Sequence, residues 1–90
     1  MNMPKNAEYE VYLLPPAKKD LDRMEPNIYR QLIKKIRTLA DDPRPLGSIK
    51  LTAEEGYRIR SGDYRILYRI DDKSGHIYIY RIKNRKDAYS

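Results

Sequence analysis

Arg58 and Arg60 precede the segment Ser61-Gly62-Asp63, and Arg65 and Arg69 follow it, with even spacing inside each pair. On an extended chain, even spacing puts side chains on one face. A guanidinium presents its donors as a fixed fork that matches phosphate oxygens, so several on one rigid surface suit a bent nucleic-acid backbone. The same pattern also describes a solvated charged face with scattered bridges to Glu54, Glu55, Asp71 and Asp72. Other chemistries are bounded by what is missing. There is no Cys, which removes thiol catalysis and Cys-based zinc, and a single His, His76, which removes a His-pair metal site or a two-histidine nuclease. No metal or cofactor is expected. His76 reads as a surface turn residue, and Glu54 and Glu55 as loop carboxylates that keep the chain soluble.

The elements that must position these arginines can be read from periodicity. Tyr9 to Leu14 is a short strand stopped by Pro15-Pro16. A helix follows, with Pro16 in its first turn and Ala17, Leu21 and Met24 at helical spacing. Pro26 suits the first turn of a second helix, about Asn27 to Ala40, with Ile28, Leu32, Ile36 and Leu39 on one stripe and Arg30, Lys34, Lys35 and Arg37 opposite. Asp41-Asp42-Pro43 ends it, and residues 44–48 are too rich in Pro and Gly for regular structure.

From Ile49 the period changes to 2. Tyr57 to Arg60, Tyr64 to Ile70 and His76 to Ile82 are strands joined by turns at Ser61-Gly62-Asp63 and Asp71 to Gly75. If the first hairpin closes on Gly62-Asp63, Ser61 faces Tyr64, Arg60 faces Arg65 and Arg58 faces Leu67. One face then receives Tyr57, Ile59, Tyr64, Ile66, Tyr68 and Ile70, and the other Arg58, Arg60, Arg65, Leu67 and Arg69. The expected fold is α+β, ordered β-α-α-β-β-β, with a helical hairpin on one face of a small antiparallel sheet and the other face open. Facing arginines repel unless something anionic covers them.

Ninety residues make one domain, 1–90, with residues 1–8 as a flexible arm. So short a chain has no core to spare for a deep cavity, and an active site should be a surface groove. No stretch approaches the roughly 18 apolar residues of a membrane span, and a cytoplasmic location is expected. Lys and Arg number 19 against 13 Asp and Glu, for a net charge of +6. The excess is C-terminal: residues 1–49 hold nine basic and seven acidic groups, residues 50–90 ten and six. A polyanionic partner is favoured. All nine aromatic residues are Tyr, a ring that can be half-buried while its hydroxyl stays wet.

These residues together resemble the RelE/ParE superfamily of toxins from type II toxin–antitoxin pairs, and its RelE branch most closely. The resemblance rests on Gly56-Tyr57-Arg58-Ile59-Arg60-Ser61-Gly62-Asp63-Tyr64-Arg65-Ile66-Leu67-Tyr68, supported by Ala17-Lys18-Lys19-Asp20-Leu21, Asp42-Pro43-Arg44-Pro45, Lys50-Leu51 and Asn84-Arg85-Lys86-Asp87-Ala88-Tyr89. It implies a RelE-like fold, a cytoplasmic toxin that enters the ribosomal A site and cuts mRNA there, and a cognate RelB-like antitoxin. By position it assigns the catalytic set to Arg58, Arg60, Arg65, Arg85 and Tyr89.

The implied chemistry is metal-independent. The 2′-hydroxyl of RNA attacks the adjacent phosphorus and expels the 5′-oxygen, leaving a 2′,3′-cyclic phosphate. Arg58, Arg60, Arg65 and Arg85 would clamp the phosphate, and Tyr89 would stack on a base or relay a proton. Some relatives carry Lys where this chain has Arg58 and Arg60, and Arg does not lose its proton in proteins. The general base is then Tyr89, a ribosomal group, water, or Glu54 or Glu55. Two other readings remain: a ParE-like gyrase-poisoning toxin, and a relative that holds RNA without cutting it.

Overall fold

A computed structural model describes residues 9–84. It is an α+β fold of β1 (Glu10–Leu13), α1 (Pro15–Asp22), α2 (Pro26–Asp41), β2 (Ile49–Lys50), β3 (Tyr57–Ser61), β4 (Tyr64–Asp71) and β5 (His76–Asn84). The expected flexible arm, residues 1–8, lies outside the described residues.

Each helix begins on proline, where the missing N–H is no loss and the fixed φ suits the first turn. Asp42 ends α2 in an extended conformation (φ −147°, ψ 96°), as the residue before Pro43 must. Along α2, Leu32, Ile36 and Leu39 are buried and the lysines and arginines face outward, except for the half-buried Lys35. These side chains, with Ala17 and Leu21 from α1, pack on Ile59, Ile66, Tyr68, Ile77, Ile79 and Ile82 of the sheet. Core leucines at almost complete burial contribute roughly 2–5 kcal/mol each, judged by truncation to Ala.

The sheet order is β1-β5-β4-β3-β2. Two features differ from the expected antiparallel sheet. The Pro- and Gly-rich connection ends in a short fifth strand, β2, paired antiparallel with β3. β1 pairs parallel with β5, Tyr12 beside Tyr78, so the sheet is mixed. The meander β2–β5 leaves β5 as its free edge. Because β1 is joined to the meander through two helices rather than a tight turn, nothing forces it to run antiparallel.

Candidate nucleic-acid interface

The β3–β4 hairpin has the register expected from its sequence: Ser61 opposite Tyr64, Arg60 opposite Arg65, Ile59 opposite Ile66 and Arg58 opposite Leu67. The turn is Gly62-Asp63. Gly62 has φ +62° and Asp63 a negative φ, the signature of a hairpin turn that places Gly at its first central position. A Cβ on Gly62 would also lie 2.7 Å from Nε2 of Gln31 on α2. This turn fixes the parity on which the arginine face depends.

Pairing continues through β5, with Lys83 opposite Arg65, Arg81 opposite Leu67, Tyr78 opposite Arg69 and His76 opposite Asp71. The helix-free face is therefore built of transverse rows. The first is Arg60–Arg65–Lys83; the second is Ile49–Arg58–Leu67–Arg81; the third is Arg69–Tyr78–Tyr12; the fourth is Asp71–His76–Glu10. Leu67 is buried although it lies on the open face, because it is flanked in its row by Arg58 and Arg81, whose aliphatic stems can cover it.

Arg58, Arg60 and Arg65 are thus brought together on two adjacent strands and one face. Arg60 donates from Nε to the carbonyl of Gly62 at 3.3 Å, which holds its stem along the turn. Among the described residues, neither Arg58 nor Arg60 is paired with a carboxylate. Of the carboxylates expected to bridge the face, Asp71 lies in its fourth row, Glu54 acts on Tyr80 and Glu55 lines a groove with Arg69, and Asp72 is engaged elsewhere. Asp72 pairs with Arg44 at 2.8 Å and accepts from the Tyr9 hydroxyl at 2.8 Å. The Arg44 guanidinium holds the Asp72 carboxyl below its usual range, with the Tyr9 hydroxyl assisting. Arg44 also donates to the Tyr57 hydroxyl at 3.0 Å.

Arg81 is anchored instead to Asp20 of α1, Nε to Oδ2 at 2.9 Å, and the same oxygen accepts from the Ile82 N–H at 2.8 Å. Asp20 thereby caps β5 where β1 no longer covers it. Arg85 and Tyr89, the remaining expected site residues, lie outside the described residues.

His76 opens β5, as expected of the third long strand, but its side chain is half-buried rather than that of a surface turn residue, and sequence reasoning missed its surroundings. Its Nδ1 lies 3.1 Å from the Tyr78 hydroxyl and its Nε2 3.6 Å from Glu10. Tyr12 stacks on Tyr78 with ring centroids 5.7 Å apart and meets His76 edge-on at 5.0 Å. The parallel β1–β5 pairing, which periodicity does not encode, creates this cluster.

Also missed was a β-bulge on β5 opposite Leu67/Tyr68. It leaves Tyr80 between the rows, with the Arg69 guanidinium 5.1 Å from its ring centre. The signal was present: Ile77 and Ile79 are two apart, but the next inward residue, Ile82, is three away. Burial of the Tyr80 hydroxyl, with Glu54 nearby, raises its pKa above the usual tyrosine value.

Residues 11–89 match the family described as ParE toxin of type II toxin-antitoxin system, parDE. Toxin RelG of Mycobacterium tuberculosis is 30% identical over 83 residues, covering 90% of this chain and 95% of the relative. Among solved structures, the toxin-antitoxin complex RelBE2 from the same organism aligns with a TM-score of 0.77 at 31% identity, covering 87% of this chain and 99% of that one. The archaeal RelE-RelB complex from Pyrococcus horikoshii OT3 aligns at 0.74 and 27% identity, covering 87% and 96%.

Proposed function

This chain belongs to the RelE/ParE superfamily of type II toxin–antitoxin toxins, and we propose that it is a ribosome-dependent mRNA endoribonuclease cleaving in the A site. The observation that carries the reading is the shared outward face of Arg58, Arg60 and Arg65. In the reaction, the 2′-hydroxyl loses its proton to a base and its oxygen attacks phosphorus. The 5′-oxygen leaves and takes up a proton, so the products are a 2′,3′-cyclic phosphate and a 5′-hydroxyl. The added negative charge of the phosphorane is met by Arg58, Arg60 and Arg65, with Arg85 joining them. One well-placed donor of this kind is worth about 3–4 kcal/mol in the transition state. Arg58 and Arg60 bind and stabilise charge; they do not take the proton. That step falls to Tyr89, a ribosomal group, water, or the loop carboxylates Glu54 and Glu55.

The inhibitory partner in this reading is a RelB-like antitoxin. A groove of about 640 Å³ along the outer side of α2, lined by Tyr29, Ile33, Arg30, Lys34 and Arg37, combines apolar surface with positive charge, and suits an acidic amphipathic peptide that folds on contact.

The ParE description of the matching family keeps a second reading in view, a gyrase poison, for which the arginine rows have no use. Addition of purified protein to a translation extract separates the two. Codon-phased new 5′ ends in mRNA are the expected result; intact mRNA with blocked DNA supercoiling would replace this reading by the other. Rapid cutting of naked RNA would contradict dependence on the ribosome.

A further inference from the structure

The third and fourth rows of the open face continue the arginine rows with a surface of different chemistry. Tyr12, on the sheet's outermost strand, is 39% exposed. Its stacked partner Tyr78 and the edge-on His76 fix its ring orientation. In the same row, Arg69 stands opposite Tyr78, and its neighbour on β3 would be Gly56, which adds no side chain. Beside Tyr78, on the side away from Tyr12, lies a groove of about 450 Å³ lined by Tyr78, Gly56, the cations Arg69, Lys50 and Arg44 and the carboxylates Glu55, Asp71 and Asp72, a volume within the range of small-ligand sites. No role in the chemistry described above uses any of these aromatic side chains.

We infer that the Tyr12–Tyr78 pair is a base-stacking platform for single-stranded RNA, with Arg69 receiving the phosphate of the stacked nucleotide. This deepens the nuclease reading and rests on it: the occupant is the strand whose scissile phosphate lies on Arg58, Arg60 and Arg65. Charge complementarity favours that occupant, because Arg58, Arg60, Arg65, Arg69 and Lys83 share the face, while its carboxylates gather at the far end, Glu10 and Asp71 in the fourth row and Glu55 and Asp72 in the lining of the groove. Alternate residues on an antiparallel strand are about 6.8 Å apart, so the platform row lies roughly 14 Å from the Arg60–Arg65 row, within reach of a few nucleotides. Aromatic side chains on an open sheet stack bases without regard to sequence, since every base offers a π-face. The platform would therefore lengthen the grip on the message without adding a codon preference.

The test compares binding of a fluorescent ten-nucleotide oligoadenylate with an abasic ribose-phosphate chain of equal length, by anisotropy at low salt. Wild type is expected to bind the adenylate about tenfold more tightly, equivalent to about 1.4 kcal/mol. Tyr12→Ala should abolish that preference and Tyr12→Phe should keep it, since the ring alone stacks. Arg58→Ala should weaken both probes alike. Equal binding of the two probes by wild type, or full preference in Tyr12→Ala, overturns the platform. If Arg58→Ala leaves both affinities unchanged while Tyr12→Ala removes the preference, the platform stands and the phosphate role of Arg58 fails. Loss of antitoxin-peptide capture in Tyr12→Ala with the RNA preference intact would assign the surface to a protein, against the proposal.

Discussion

Arg58 is the residue at which the proposed chemistry is sharpest. In that proposal its guanidinium fork meets the charge of the phosphorane and takes no proton. Arg58→Lys retains the charge but not the fork, and should keep partial cleavage activity in programmed ribosomes, whereas Arg58→Ala should lose about 10²–10³-fold. Equal rates for Lys and Arg would mean that a point charge suffices.

A second residue reports on the fold. Tyr68 is fully buried and donates its hydroxyl to the Pro43 carbonyl at 2.7 Å. Burial pushes its pKa up to about 12. The folded pKa is above the unfolded value of about 10, so this stabilisation is complete below pH ~10 and is lost as pH rises through about 12. Tyr68→Phe should flatten that part of the alkaline unfolding curve and cost about 1–3 kcal/mol at neutral pH, by orphaning the carbonyl. An unchanged curve would show that the hydroxyl is not held protonated by the fold. At this scale the facing pairs of the hairpin were legible because alternation and a two-residue turn settle them. The surroundings of His76 were not, since its neighbours come from β1 and from the parallel pairing.

Among the elements, β3 depends on a glycine at its entry. Gly56 has φ +121°, and a Cβ there would lie 2.6 Å from the Tyr68 carbonyl oxygen. Neither the conformation nor the backbone contact can relax without moving β4. Gly56→Ala should therefore destabilise by at least about 2 kcal/mol, read from chemical denaturation. A loss below ~0.5 kcal/mol would mean that the strand entry is adaptable.

The two helices and the three long strands were legible from periods of 3.6 and 2. Three things were not: the two-residue β2, too short to carry a pattern; the parallel seat of β1, which depends on how α1 and α2 cross the sheet; and the bulge at Tyr80. Of these, only the bulge left a trace, in the three-residue step from Ile79 to Ile82.

On the whole-molecule scale, the net charge of +6 attracts any polyanion and makes affinity fall with salt. Cleavage by the proposed route requires more than net charge: the cations must act from the sheet face. The most direct measurement is the single-turnover rate of mRNA cleavage in programmed ribosomes for wild type, Arg58→Ala and Arg37→Ala, two variants with the same loss of charge. Arg37 is exposed on α2, on the side of the molecule opposite the arginine rows. The expected result is a roughly 10²–10³-fold loss for Arg58→Ala, as for removal of one transition-state donor, with Arg37→Ala within about twofold of wild type. Equal losses in the two variants, or cleavage by Arg58→Ala at the wild-type rate, would contradict it.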